Sequence, residues 1–397
     1  MTFYGRGYGH GVGMNQYGAR GRAQAGQTAA QILSAYFKGS SPATVSPTRN
    51  TRVLLMAGYP AASTAPLVVR GRVTPWTIDG IATTFPANAS LNLWRTRQSI
   101  DGVTTTTWHV RVIASDATVL YDGLKSNQLV IRGATGRSRL QLVSKPSSYD
   151  TYRGVLKLFL GASSLNVVNH VPLDLYLRGV VPVEMSSGWP TEALKAQTIA
   201  ARSYAVRRLH PTSGSYDLYD DTRSQVYRGS EAETTTTNTL IAAFPGQIIT
   251  YGGAVVNAFF FSTGGGATEN NEYVFVSSSG GVGTAVPYLR GIPDRRADGT
   301  AFDAAAPVYA WQSSTLTRSQ LSTVFRHDTR TSVGDLTKLD LRKRGVSGRL
   351  YRVTLYGSAG SKTVSADVFR SVYNTYRPAG TLPIRSNLFD TRPIAGS

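Results

Sequence analysis

Apolar and polar residues alternate through much of the chain, and a period of two is typical of strands that bury one face. The alternation is clearest in Trp108-His109-Val110-Arg111-Val112, within a series of short runs and turns that extends from residue 52 to about residue 146. Similar runs continue over residues 152–183. We therefore predict a strand-rich α+β fold with a mixed β core and a few packed helices, in which residues 52–150 form a small all-β module.

A helical period of 3.6 residues appears in fewer places. Residues 19–37 are predicted to form a helix with Thr28 as a candidate N-cap. Pro190 fits the first position of a second helix, whose alanine-rich face indicates close packing. That face contains Ala193, Ala196 and Ala200. Weaker helical patterns occur at residues 231–243, 314–330 and 365–376.

The composition limits the chemistry that the chain can perform. Hydrophobic residues make up 41% of the 397 residues, which is typical of a globular protein. The chain contains no cysteine, so disulfides, thiolate metal sites and a cysteine nucleophile are excluded. Its formal net charge of +19 favours polyanionic partners, which leaves nucleic acid and anionic cell-wall polymers both open. No motif specific for nucleic acid is present.

The apolar runs also bear on localisation. None approaches the roughly 18–20 residues that a membrane-spanning helix needs. The opening residues MTFYGRGYGHG lack the charged and apolar regions of a signal peptide. We nevertheless expect an extracellular or cell-wall location, reached through an export signal that is removed and is not part of this sequence.

Several separated blocks of sequence form one recognisable series. They are Tyr152-Arg153-Gly154, Leu165 to Asn169, Val181-Pro182-Val183-Glu184-Met185, Glu192 to Gln197, Ala200 to Ala205, Gln225-Val226-Tyr227, Ser262-Thr263-Gly264-Gly265 and Arg385 to Phe389. Together these blocks closely resemble the core of the stage II sporulation protein D (SpoIID/LytB) family. The resemblance implies a catalytic core over residues 151–397 and a cell-wall protein that acts on peptidoglycan.

One block departs from the family's usual order. Residues 5–19, which read GRGYGHGVGMNQYGA, look like the family's glycine-histidine motif, which normally follows the final strand of the core. Here the motif opens the chain, so the sequence resembles a circular permutation. Because a permutation needs the joined segments to be close in space, we predict that a strand from Phe3 to Gly11 packs beside Leu388 and Phe389, and that residues 1–51 pack into the core.

Glu184 is the leading catalytic candidate. The resemblance implies a lytic transglycosylase, which needs only one carboxyl group: the acid protonates the glycosidic oxygen and then takes the proton of the sugar's own 6-hydroxyl. Val180 to Val183, Met185 and Trp189 give Glu184 an apolar surround of the kind that keeps a carboxyl group protonated. The alternative is an ordinary glutamate at an exposed turn or at the start of a helix.

Further residues of these blocks are substrate-binding candidates, each with a structural alternative. His10 is expected either near the site or as a histidine that locks a glycine-rich loop, and Gln16 belongs to the same block. Gln225 and Tyr227 suit N-acetyl groups, hydroxyls and sugar faces, or core packing. The remaining candidates are Ser262, Thr263 and Gly265, whose backbone N–H groups could hold an oxygen, and Arg202, which must pair with Glu184, Asp221 or another acid.

These residues point to no cofactor and no metal. Some members of the family bind zinc through cysteine and histidine, but this chain has no cysteine and its five histidines show no ligand spacing. The first functional hypothesis is therefore a lytic transglycosylase that binds peptidoglycan glycan strands. The second is a non-catalytic wall-binding enhancer of a separate amidase, and the third, a nucleic-acid binder, rests on charge alone.

Overall fold

The computed structural model describes residues 1–101, 103–126, 128–210 and 212–394. The chain divides into two compact units. The first unit comprises Met1–Pro42, Trp189–Ala200 and Ile249–Ser397, and the second comprises Ala43–Gly188 and Ala201–Ile248. Helix Thr191–Arg207 contributes residues to both units.

Two antiparallel sheets dominate the described part of the second unit. The six-stranded sheet has the order Val119–Lys125, Val103–Ile113, Ser90–Ile100, Leu67–Arg72, Arg139–Leu142 and Thr151–Tyr152. The seven-stranded sheet has the order Leu218–Tyr219, Asn50–Tyr59, Leu165–Pro172, Val155–Leu160, Leu129–Gly133, Trp76–Ile78 and Thr84–Phe85, and its first pair is parallel. The strand-rich α+β prediction is confirmed.

Alternation along the strands has the predicted physical cause. In the six-stranded sheet, apolar side chains two residues apart along a strand are buried on one face. The side chains that alternate with them lie on the other face. The buried face includes Leu67, Val69, Leu91, Leu93, Val110 and Val112. Strands on both sides of residue 150 share these sheets. The division into a β-rich module over residues 52–150 and a core over residues 151–397, into which residues 1–51 pack, stays a prediction.

The helices of the second unit are short. They are Leu173–Arg178, Val181–Glu184 and Thr235–Ala243, with a 3₁₀ turn at Gly229–Ala232. The Thr234 hydroxyl caps the third of these by accepting a hydrogen bond from the N–H of Thr237. The helix predicted over residues 231–243 therefore begins four residues later than the pattern indicated.

The first unit combines helices with small sheets. Its helices are Gln16–Gln24, Ala29–Tyr36, Arg318–Arg326 and Ala366–Tyr376, with a 3₁₀ turn at Asn271–Tyr273. Its sheets contain strands Tyr4–Arg6, Ala310–Gln312 and Phe389–Asp390, strands Leu336–Asp340, Arg352–Gly357 and Gly360–Ser365, and the parallel pair Met14–Asn15 and Phe260–Phe261. Further strands of the chain are Ser41–Thr44, Gln247–Tyr251 and Ala254–Val255.

The single helix predicted over residues 19–37 is wrong, because the structure has two helices there. Gly26 adopts a positive φ of 84° between them, which ends the first helix. Thr28 caps the second helix as predicted, through a capping box with Gln31. The small-residue face of helix Thr191–Arg207 is also confirmed, since Ala196 and Ala200 are buried in one apolar cluster with Ile32 and Tyr36.

The contact predicted between the two ends of the sequence is confirmed, although the strand is shorter than expected. Strand Tyr4–Arg6 pairs antiparallel with Phe389–Asp390, with Gly5 opposite Phe389, and the Arg6 N–H donates to the Leu388 carbonyl at 3.0 Å. Glycine is required at position 5 because the Trp311 ring lies so close that a Cβ there would be 2.2 Å from it. This pairing is the arrangement that a permuted motif order needs.

No helix in the described part of the chain combines the length and the apolar character that crossing a bilayer requires.

Candidate functional site

Glu184 is the last residue of the four-residue helix Val181–Glu184. Pro182 lies in the first turn of this helix, where its missing N–H is not needed for a helical hydrogen bond. Val181 and Met185 are buried, whereas the Glu184 side chain is partly exposed. The N–H of Val226 donates to Oε1 of Glu184 at 3.0 Å, which fixes the orientation of the carboxyl group.

Two phenol groups lie close enough to Glu184 for its charge to raise their pKa values. Burial raises the pKa of Tyr176 well above its usual range, and Tyr227, Tyr204 and Glu184 raise it further. Burial also raises the pKa of Tyr204, where Arg208 opposes the shift and Glu184 adds to it. Both phenols therefore remain neutral hydroxyl groups at neutral pH.

The segment that holds Glu184 is itself anchored on both sides of Val226. Gln225 is 1% exposed; its Oε1 accepts from the Tyr176 hydroxyl at 3.1 Å and its Nε2 donates to the Ala201 carbonyl at 3.2 Å. Tyr227 is 2% exposed, and its hydroxyl donates to Oδ1 of Asn169 at 2.9 Å. Of the two alternatives open for Gln225 and Tyr227, the structure supports core packing. Both residues position the backbone that contacts Glu184.

Replacing Tyr227 by phenylalanine should therefore affect stability and not glycan affinity. The change leaves the buried Oδ1 of Asn169 without its donor, which we expect to cost about 1–3 kcal/mol of unfolding free energy. Urea unfolding measures that loss, and binding of glycan strands measures the affinity. A stable Tyr227→Phe protein with at least tenfold weaker glycan binding would contradict the buried role.

Arg202 pairs with a structural acid. Its Nε donates to Oδ1 of Asp174 at 2.8 Å and its Nη1 donates to the Gln247 carbonyl at 2.9 Å, while its side chain is completely buried. Asp221 instead pairs with Arg223. Arg202 therefore pairs with neither Glu184 nor Asp221, the two acids named from the sequence, but with a third acid, Asp174. Arg202 thus joins helix Thr191–Arg207 to helix Leu173–Arg178 within the second unit.

His10 lies in an aromatic surround in the first unit. Its ring contacts the rings of Phe259, Phe261 and Phe275, with centroids 5.4–6.1 Å away. Nδ1 of His10 accepts a hydrogen bond from the N–H of Val12 at 3.0 Å, so a neutral ring carries its proton on Nε2. Burial, and then the charge of Arg349, lower the pKa of His10 to about 4. The imidazole is therefore neutral at neutral pH.

The low pKa of His10 predicts that the protein loses stability in acid. Between about pH 6.5 and pH 4 the unfolded chain binds a proton at His10 that the folded chain does not bind, so stability falls as the pH falls through this range. The loss is at most about 3 kcal/mol. In His10→Asn the amide oxygen can replace Nδ1 as acceptor, and the pH dependence of unfolding should weaken there. An unchanged pH profile would contradict the neutral buried ring.

The backbone of the Ser262–Gly265 turn already binds an oxygen atom, and this oxygen is part of the Asp303 side chain. The N–H groups of Gly264 and Gly265 donate to Oδ2 of Asp303 at 2.7 and 2.8 Å, and the hydroxyl of Thr263 donates to the same atom at 2.6 Å. Gly266 donates to Oδ1 of Asp303 at 3.1 Å. Thr263 and Gly265 are buried, and Ser262 accepts from the Tyr17 N–H through its carbonyl. The expected backbone cradle exists, and the Asp303 carboxylate fills it.

The buried acids of this region were missed by sequence reasoning. Asn15 donates to both Asp294 and Asp303 at 2.9 Å, and Asp294 also pairs with Arg22. Burial raises the pKa of Asp294, although the charge of Arg22 lowers it in part. These acids follow Asn15 of the glycine-histidine block by 279 and 288 residues, and no spacing signal connects them to it. Gln16, also buried, donates to Oε1 of Gln197 at 3.4 Å.

The predicted site residues thus fall into two groups. Glu184, Arg202, Gln225 and Tyr227 belong to the second unit. His10, Gln16, Ser262, Thr263 and Gly265 belong to the first unit. Among the described residues, no group of three or more histidine, cysteine or acidic side chains is placed to hold a metal ion.

Comparison with known proteins bears on the group that contains Glu184. A family model described as "Stage II sporulation protein" matches residues 161–251. The matched range is therefore similar to the stage II sporulation protein family. It includes Glu184, Arg202, Gln225 and Tyr227, whereas His10 and the Ser262–Gly265 turn lie outside it. The resemblance inferred from the sequence blocks is therefore confirmed.

Individual relatives extend the comparison. A stage II sporulation protein D of Bacillus subtilis is 32% identical over 187 residues, which is 43% of this chain and 51% of that protein. The amidase enhancer of Bacillus subtilis is 32% identical over 147 residues, which is 37% of this chain and 18% of that protein. An uncharacterised protein of Brachyspira hyodysenteriae is 36% identical over 143 residues, which is 36% of this chain and 37% of that protein. The chain therefore spans about half or less of these relatives' own lengths. No solved structure matches it significantly.

Proposed function

We propose that this protein acts on the bacterial cell wall as a peptidoglycan lytic transglycosylase, with Glu184 as its acid and base. One observation carries the proposal. The Glu184 side chain is partly exposed, its carboxyl group is oriented by the Val226 N–H at 3.0 Å, and it lies in the range that matches the stage II sporulation protein family, near the buried Val181 and Met185. An oriented, partly desolvated carboxyl group is what general acid–base cleavage of a glycosidic bond requires.

The reaction needs no second carboxylate. Protonated Glu184 gives its proton to the oxygen between MurNAc and GlcNAc, the bond from C1 of MurNAc to that oxygen breaks, and the electron pair stays on the leaving oxygen. The resulting oxocarbenium centre is attacked by the 6-hydroxyl oxygen of the same MurNAc. The Glu184 carboxylate takes that hydroxyl's proton, which restores the acid and leaves a 1,6-anhydro end. No water is consumed, and the atoms balance.

The wall setting is part of the proposal. Two of the curated relatives are named for sporulation and for amidase enhancement, and the net charge of +19 suits an anionic wall. We propose that the protein works outside the membrane, binds peptidoglycan glycan strands and anionic wall polymers, and has no specific nucleic-acid partner.

A second candidate function is favoured by one specific relative. The amidase enhancer of Bacillus subtilis is 32% identical over 147 residues. In this alternative the protein binds the wall, contacts a cell-wall amidase and raises its activity without cleaving glycan. Glu184 would then be a structural residue at the end of a short helix.

Digestion of purified sacculi and of peptide-free glycan strands separates these functions. We expect the protein to release anhydro-muropeptides from sacculi when no amidase is added. Reducing ends in their place would indicate a hydrolase, and a product that forms only when an amidase is added would support the enhancer. Either outcome would contradict the transglycosylase proposal.

A further inference from the structure

We propose that the outward face of the six-stranded sheet binds a polyol-phosphate polymer through Arg70 and Arg72. A groove of about 630 Å³ lies on this face. Its lining combines two arginines with amide and hydroxyl side chains, and no acidic residue lines it within the described part of the chain. The polar lining residues are Arg70, Arg72, Asn88, Ser90, Asn92 and Ser115. The groove lies outside the range that matches the stage II sporulation protein family.

The strand pattern places both arginines on one face. Arg70 and Arg72 are two residues apart in strand Leu67–Arg72, so their side chains leave the sheet on the same side, about 7 Å apart along the strand. Val69, which directly precedes Arg70, is completely buried on the opposite face. Arg70 is held by the neighbouring strand, because its Nε donates to the Ser90 hydroxyl at 3.0 Å.

The charges on this face are not balanced by the protein. Among the described residues neither Arg70 nor Arg72 forms an ion pair, whereas nearby Arg111 pairs with Asp122. Arg139 is directly opposite Arg72 in the antiparallel pairing, which adds a third arginine beside the pair. Because no acidic side chain of the lining pairs with Arg70 or Arg72, a bound anion would supply their countercharge.

The chemistry of the lining selects a phosphate polymer. Arginine binds phosphate oxygens through pairs of charge-assisted hydrogen bonds, and two arginines about 7 Å apart can contact successive phosphates of a chain. The amides of Asn88 and Asn92 and the hydroxyls of Ser90 and Ser115 suit the hydroxyl groups of the polyol between those phosphates. Asn88 reaches the groove from a turn in which it adopts a positive φ of 67°, a conformation that asparagine tolerates better than most residues. The choice of a wall polymer as ligand rests on the proposed wall function.

The test compares two charge-matched double variants of the whole protein. Arg70→Gln/Arg72→Gln removes the groove arginines, and Arg97→Gln/Arg137→Gln removes two exposed arginines that do not line it. Binding to polyglycerol phosphate is measured by titration calorimetry at fixed salt, with poly-glutamate and duplex DNA as comparison polymers. We expect affinity for polyglycerol phosphate to fall about tenfold or more in the groove variant and less than threefold in the control. Unchanged thermal unfolding of both variants shows that the fold is intact.

Equal losses in the two variants would mean that net charge alone binds the polymer, and would overturn the proposal. Tighter binding of poly-glutamate or of DNA than of polyglycerol phosphate would overturn it as well. Glu184→Gln should bind polyglycerol phosphate like the unmodified protein, since the assay contains no glycan. Failure of polymer binding and failure of glycan cleavage are therefore separate results.

Discussion

Glu184→Gln should form anhydro-MurNAc ends about a hundredfold to ten-thousandfold more slowly than the unmodified protein, the range that general acid–base groups contribute. Glutamine keeps the size of the side chain, and its amide oxygen can still accept from the Val226 N–H, so the fold should persist. It cannot, however, donate the proton that the leaving oxygen needs. The rate is measured by mass spectrometry of the products released from peptide-free glycan strands.

A matched control isolates the role of this carboxyl group. Asp101→Asn removes an exposed negative charge from the turn between two long strands of the second unit, and asparagine tolerates the positive φ of 51° at that position. This variant should cleave glycan at the unmodified rate. Equal cleavage by Glu184→Gln and the unmodified protein would leave Glu184 without a catalytic role.

The second large effect concerns stability. Arg202→Met should lower the free energy of unfolding by about 3–5 kcal/mol, because it leaves the Asp174 carboxylate without its ion-pair partner. Asp174 is 15% exposed, so water compensates for part of the loss and the lower end of this range is expected. Urea unfolding followed by circular dichroism measures the change. The Gly246 N–H, which also donates to Asp174, should lose protection from hydrogen exchange.

The exposed pair Arg223–Asp221 provides the comparison. Its side chains are 61% and 46% exposed, and Arg223→Met should leave the unfolding free energy almost unchanged. In the double variant Arg202→Met/Asp174→Asn, much of the lost stability should return because no uncompensated charge remains. Similar small losses at Arg202 and Arg223 would show that the buried pair has no special structural importance.

The sequence predicted those features that follow from local chemistry. Alternation along residues 52–146 predicts the sheets because most of these strands bury one face. Thr28 caps its helix because its hydroxyl accepts a hydrogen bond from the N–H of Gln31. The resemblance of separated blocks also identified the family of the matched range that contains Glu184. The contact of Tyr4–Arg6 with Phe389–Asp390 was predictable because a permuted order requires it.

The roles of polar residues were harder to predict because they depend on distant partners. Gln225 and Tyr227 carry groups that suit a sugar, yet Tyr176 and Asn169 occupy those groups in the core. The backbone cradle at residues 263–266 has the right geometry for an anion, and Asp303 fills it from a loop far along the chain. No local pattern distinguishes a group that faces solvent from one that a remote side chain satisfies.

If the oriented Glu184 carboxyl group cleaves the glycan with the substrate's own hydroxyl as nucleophile, no oxygen atom from water enters the product. The most direct test is digestion of peptide-free glycan strands in heavy-oxygen water, followed by mass spectrometry of the new ends. A lytic transglycosylase should give anhydro ends that carry no heavy oxygen. New reducing ends that have incorporated heavy oxygen would show that water is the nucleophile and would contradict the proposed function.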